Sequence, residues 1–138
     1  MSAEKGTGGG CLCGGVRYRI TGKLDGVTAC HCSQCARTTG HHFASAHCAT
    51  SDFAFERDET LRWYRSSPEA ERGFCSRCGG ALFWRRVGGG DTLSITAGTL
   101  DRPTGLRMKC HIFCGSKSDY YEITDGLEQY ETWSGQSA

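Results

Sequence analysis

CSRCGG, residues 75–80, carries two cysteines separated by two residues and followed by two glycines. In this spacing two thiolates converge on one metal ion across a tight turn, and the glycines leave room for backbone N–H groups to point at the sulfurs. CLCGG, residues 11–15, repeats the theme with Cys11 and Cys13. Two such pairs make one closed tetrahedral site on Cys11, Cys13, Cys75 and Cys78. That site ties the start of the chain to its middle across more than 60 residues, where loop closure makes a cross-link useful. The alternative, reduced thiols packed as small hydrophobes, leaves the pairing of the four unexplained.

A chain of 138 residues fits one domain with a modest core. Only 38% of residues are hydrophobic while 20 are glycine, a mix that implies many turns and a core helped by cross-links. No apolar run reaches the roughly 18 residues that span a bilayer. The segment before Cys11, MSAEKGTGGG, has no apolar stretch of the secretory kind. A cytoplasmic location is therefore expected, where ten cysteines point to metal rather than disulfides. Sixteen basic and 15 acidic residues are intermixed, for a net charge of +1. A nucleic-acid partner is disfavoured, since such binders usually show a basic block or stripe. Arg85–Arg86 and the spread of Arg57, Arg62 and Arg65 read as solvated strand faces.

Short β-branched or aromatic runs dominate: VRYRI (16–20), LRWYR (61–65), ALFWRR (81–86), TLSITAG (92–98) and DYYEIT (119–124). VGGGDT (87–92) reads as a hairpin turn. Helix is expected only near Ala36–Thr39 and from Thr124 in TDGLEQYE. The predicted class is mainly β, one domain with short loops and little helix. The domain is expected over 9–133, with flexible segments at 1–8 and 134–138.

CHCSQC (30–35) places Cys30, Cys32 and Cys35 within six positions. Three thiolates on one segment can face a single ion but cannot complete a tetrahedron. Structural zinc sites are closed, whereas catalytic ones keep an open position. The pattern favours an open site, with closure by His111, Cys48 or Cys110 as the alternative. His31 is a poor fourth ligand, because both its neighbours already ligate and its side chain points away from them. Three thiolates donate strongly, so Zn²⁺ here is less suited to making hydroxide from water than a three-histidine site. A soft centre suits a soft ligand, an incoming thiol held as thiolate.

Five blocks, GGGCLCGGVRY, CHCSQCARTTG, FCSRCGGALFW, GTLDRP and HIFCGSKSDYYEITDGLEQYE, resemble the glutathione-dependent formaldehyde-activating enzyme family in order, over residues 9 to 131. Centromere protein V is a chromatin-associated relative. The resemblance implies an antiparallel β-tent fold and two Zn²⁺ per chain. One would be structural, on Cys11, Cys13, Cys75 and Cys78; the other catalytic, on Cys30, Cys32 and Cys35. It also implies a carbon–sulfur lyase run in reverse, condensing glutathione with formaldehyde into S-hydroxymethylglutathione, a detoxification role. The chain departs from the family pattern where prolines and a tryptophan are common. Those positions hold Asp119, Tyr120 and Glu128, so the pocket wall near Lys117 is expected to differ.

Glutathione carries two carboxylates, so a binder needs cations or backbone donors near the metal. Arg37, Lys117 and His111 are the candidates, in that order. Their plain alternatives are a solvated charge for Arg37 and Lys117 and a hydrogen-bonded core histidine for His111. His41, His42 and His47 read as scattered surface residues. Two competing functions remain: a non-catalytic zinc module that binds a protein or nucleic acid, and an enzyme of this fold acting on another small thiol. A homo-oligomer is compatible with the sequence, and a membrane partner is not expected.

Overall fold

VRYRI alternates apolar and polar residues, and it forms β2 (Val16–Ile20) with Val16, Tyr18 and Ile20 buried. This is the two-residue period of a half-buried strand. In the computed structural model, which describes residues 6–133, β2 is the middle of a small antiparallel sheet. Its neighbours are β1 (Thr7–Gly10) and β5 (Phe53–Asp58). A second sheet has eight strands. In spatial order they are β11 (Glu128–Gln129), β10 (Met108–Ile112), β3 (Val27–Cys30), β4 (Phe43–Ala49), β9 (Gly89–Thr96), β8 (Ala81–Arg86), β7 (Ala70–Cys75) and β6 (Leu61–Arg65). Pairing is antiparallel except at one edge, where β10 runs parallel to both β3 and β11. The fold is mainly β, as expected, and the described residues contain one α-helix, α1 (Ser33–Thr39).

The core lies where the two sheets meet. Tyr18, Phe53 and Phe83 pack with ring centroids 5.3 to 5.5 Å apart, over Ala46, Cys48, Leu82, Leu93 and Ile95. Tyr18 buries its ring completely and satisfies its hydroxyl on Thr99 Oγ1 at 2.6 Å, as a buried phenol requires. Cys48 thus belongs to the core.

Residues 7 and 8 fall in the N-terminal stretch expected to be flexible, yet they belong to β1. The glycines there serve close packing. A Cβ on Gly9 would lie 2.3 Å from the Tyr18 hydroxyl and 2.6 Å from the Thr99 carbonyl, so only glycine lets β1 pass over the Tyr18 ring. The expected flexible tail, 134–138, lies outside the described residues, as do residues 1–5 of the N-terminal segment.

Two expectations fail near the C-terminus. DYYEIT is not a strand but a turn and irregular segment. Side chains satisfy its polar groups: the Lys117 ammonium donates to the Tyr121 carbonyl, and the Tyr120 and Tyr121 hydroxyls meet His41 and His31. No helix starts at Thr124 either. The Asp125 carboxylate accepts the Leu127 N–H at 3.0 Å, an Asx-turn, and the chain then extends into β11 against Cys110 and His111. The last two residues of TLSITAG, Ala97 and Gly98, open a short 3₁₀ turn after β9.

Candidate functional site

The two knuckles come together as their spacing predicts. Gly14 and Gly79 adopt φ of 81° and 80°, the left-handed conformation that closes each turn. The Gly14 N–H bonds the Cys11 carbonyl at 3.2 Å and the Gly79 N–H bonds the Cys75 carbonyl at 2.8 Å. Ligand atoms of Cys11, Cys13, Cys75 and Cys78 all lie within 4.8 Å of one another. Two of the sulfur–sulfur distances are 3.7 and 3.6 Å. Zn–S bonds of about 2.3 Å set tetrahedral sulfurs about 3.8 Å apart, so the residues fit such an ion. Backbone N–H groups of Val16, Arg77 and Cys78 point at sulfurs at 3.3 Å, and Arg77 Nε donates to Cys13 at 3.4 Å. This electropositive cage suits four thiolates.

The second cluster is built on one short segment. β3 ends at Cys30, Cys32 caps α1 by accepting the Cys35 N–H at 3.3 Å, and Cys35 is the buried residue of the first turn. Cap geometry therefore turns Cys32 and Cys35 to one side, and their ligand atoms lie within 4.8 Å of that of Cys30. Among the described residues no fourth His, Cys, Asp or Glu joins this group. Hydrogen bonds from the Cys30 and Cys35 thiols hold Cys32 well below the usual thiol range, and Cys30 is pushed up mainly by its hydrogen bonds to Cys32 and Cys35. A single negative charge is thus favoured on Cys32. Ionising all three requires a cation, and the soft donor set fits a zinc-like ion.

Register explains what this cluster faces. Ile112, Cys30 and Phe43 are directly paired across β10, β3 and β4, and His47, Ser94 and Trp84 across β4, β9 and β8. These residues, with Ser45, Thr92 and Arg86 on the same two-residue period, lie on the sheet face opposite the core. There they line a cleft of about 640 Å³ that Phe113, Trp133, Gly89, Gly90 and Asp91 complete. Cys30 and Cys35 open into it; none of the four clip cysteines does. The volume is in the range of small-molecule sites, roughly 300–1,000 Å³. Phe113 has φ of 55° and ψ of 39°, a conformation seldom adopted by bulky residues, and its ring packs on Trp133 at 5.3 Å.

The three residues suggested for substrate binding are not among those lining this cleft. Arg37 is exposed in the last turn of α1. Lys117 donates to the carbonyls of Ser118 and Tyr121. His111 is buried in a hydrogen-bonded chain: its Nε2–H donates to Asp125 at 2.7 Å, and its Nδ1 lies 2.9 Å from His31 Nε2. His31 Nδ1 in turn lies 2.5 Å from the Tyr121 hydroxyl. Burial, with His42 and His111 beside it, holds His31 down at about 4, so a neutral imidazole links the chain. As expected, His31 points away from the three sulfurs. The histidines expected to scatter instead gather in part: the His42 ring lies 5.1 Å from His31 and 4.6 Å from His41, while His47 lines the cleft.

Sequence reasoning missed two cations. Arg86 lines the cleft, whereas its neighbour Arg85 stacks 3.7 Å over Trp63 and pairs with Glu71 at 2.8 Å. Arg72 is buried and reaches Cys35 Sγ at 3.6 Å. The alternation of ALFWRR could have separated Arg86 from Arg85. Nothing in AERGFC signals that Arg72 reaches α1.

Comparison with known proteins agrees with this architecture. The family profile described as glutathione-dependent formaldehyde-activating enzyme matches residues 6–116. An uncharacterized lyase of Schizosaccharomyces pombe is 25% identical over 122 residues, covering 88% of each protein. The crystal structure of a Rhodobacter sphaeroides protein shares the fold with a TM-score of 0.59 at 24% identity, over 74% of this chain and 99% of that one. With both cysteine clusters formed and the family profile spanning most of its length, the chain belongs to the glutathione-dependent formaldehyde-activating enzyme family.

Proposed function

We propose that this protein is a zinc-dependent carbon–sulfur lyase acting on a glutathione-type thiol adduct of a small aldehyde. The observation that carries this reading is the opening of Cys30 and Cys35, two of only three clustered sulfurs, into the cleft. A Zn²⁺ held by Cys30, Cys32 and Cys35 supplies, when bound, the charge that keeps an incoming thiol ionised at neutral pH. The second ion, on Cys11, Cys13, Cys75 and Cys78, is structural.

The chain's own residues do the rest. Cys30, Cys32 and Cys35 would hold the ion by three sulfurs, and Cys30 and Cys35 line the cleft from which a substrate thiol would reach it. Phe43, Trp84, Ile112, Phe113 and Trp133 form apolar walls that exclude water from it. Arg86 meets a substrate carboxylate, the part first assigned to Arg37. In the synthetic direction the thiolate sulfur attacks the aldehyde carbon. A carbon–sulfur bond forms, the carbonyl π bond breaks, and the oxygen takes a proton from water, replacing the one the thiol released on ionising. The lyase direction is the reverse. Glutathione and formaldehyde are the substrates the family's description suggests, and the name of the fission-yeast relative is consistent with a lyase.

NMR exchange spectroscopy with ¹³C-formaldehyde and glutathione tests the reaction. Exchange between free aldehyde and hemithioacetal should be faster with protein than without it, and Cys32→Ser should abolish the excess. No acceleration with glutathione, for a protein holding two ions, would contradict the assignment.

A further inference from the structure

Arg72 comes from β7, the strand that ends in the clip cysteine Cys75, yet its side chain reaches the other cluster. Its Nη1 donates to Thr38 Oγ1 at 3.3 Å, its Nη2 donates to Cys35 Sγ at 3.6 Å, and its guanidinium lies 5.8 Å from the Phe43 ring centroid. Only 9% of the residue is exposed, and its buried Nε has no hydrogen-bond partner. Arg72 makes no ion pair with a carboxylate among the described residues, unlike Arg17, Arg19 and Arg85. A buried guanidinium without a carboxylate is costly unless another anion faces it. The group facing it is Cys35.

We infer that Arg72 is the built-in counter-ion of the three-cysteine centre: it donates to the Cys35 sulfur and offsets negative charge at the centre. This rests on the reading of that centre as an open metal site. A divalent ion on three thiolates carries one net negative charge, and a substrate thiolate in the fourth position raises that to two. The two clusters handle this differently. At the four-cysteine clip the side-chain cation is the exposed Arg77, aided by three backbone N–H bonds. At the three-cysteine centre the cation is buried, on Cys35, a residue that lines the cleft. There its charge is least screened by water. Arg72 is thus a positioning residue: it touches a metal ligand and is not among the residues lining the cleft. Its role is to favour an anionic fourth ligand over a neutral one.

The test uses protein with Zn²⁺ in the clip and Co²⁺ in the three-cysteine centre, titrated with glutathione and separately with imidazole, a neutral ligand. In Arg72→Gln the sulfur-to-cobalt charge-transfer band should move to longer wavelength, because Cys35 loses a donor. The glutathione dissociation constant should rise on the order of tenfold, while that for imidazole stays within about twofold. Arg72→Lys should recover most of the glutathione affinity, since it keeps the charge. Equal losses for both ligands, or an unmoved band, would mean that Arg72 only fills space. Should Arg72→Gln not fold, Arg72→Lys decides: a shifted charge-transfer band with glutathione affinity largely retained supports the counter-ion, and an unmoved band, or glutathione and imidazole weakened alike, overturns it. If the unsubstituted protein takes imidazole but not glutathione, the thiol-binding reading is what fails. The charge-transfer band in the Arg72 variants then still decides the role of Arg72.

Discussion

The two cysteine clusters offer the same donor atoms in different settings. The clip joins two turns 62 residues apart, is braced by main-chain donors, and lies outside the cleft. The three-cysteine centre is local, set on the cap of a seven-residue helix, and faces open space on the sheet. A long-range cross-link stabilises the fold because it removes freedom from the unfolded chain. A local one contributes little of that kind and is free to leave a position for a ligand. On the function proposed above, the number of protein ligands and the span of chain they close separate a structural site from a functional one.

The largest expected effect tests the clip. Cys75→Ser or Cys11→Ser should abolish folding, because apparent binding energies of structural zinc are on the order of 10–16 kcal/mol, comparable with a whole domain's stability. Loss of near-ultraviolet circular dichroism and of soluble yield would report it. Cys32→Ser should instead give a folded domain that lacks one ion and all activity. Equal unfolding by both classes of substitution would erase the distinction.

Metal analysis sharpens the same contrast. The purified protein should hold two Zn²⁺ per chain, and mild chelation should remove one while the circular dichroism persists, since three ligands with an open vertex release an ion before four closed ones. Ions leaving together would contradict it. Within the cleft, Arg86→Ala should weaken glutathione binding by about tenfold, the size of one charge-assisted hydrogen bond, with metal content unchanged. Arg37→Ala, outside the cleft, should leave affinity as it was. Calorimetric titration separates the two. The smallest effect expected is for Tyr121→Phe. Losing one hydrogen bond in the chain behind the ligands should cost about 1 kcal/mol of stability, read as a shift in denaturant midpoint.

Much of this was legible in the sequence, for identifiable reasons. Cysteine spacing is local geometry, so the pairs in CLCGG and CSRCGG and the group in CHCSQC followed from it, and the joining of the two pairs followed from each supplying only two of four ligands. Alternation revealed β2, β6 and β8. Strands with little alternation escaped: β1 is three-quarters glycine, and β3, VTAC, is too short to show a period. DYYEIT misled because tyrosines suit strands, while here their hydroxyls bind histidines far along the chain. The cations that lie nearest the cleft and the three-cysteine centre escaped for a related reason. Arg37 is near Cys35 in sequence but turned outward on α1, whereas Arg72 arrives from a strand 37 residues later. Sequence proximity could not supply that placement, because register across β3, β4, β9 and β8 decides which side chains share the cleft.

On the proposed function, the three-cysteine centre keeps a position open to the cleft. With Co²⁺ in that centre, adding glutathione should change the ligand-field and sulfur-to-metal bands as a fourth sulfur enters, with release of a proton. S-methylglutathione, which has no ionisable thiol, should leave the spectrum unchanged. A spectrum that already shows four sulfur ligands, and does not respond to glutathione, would contradict the account.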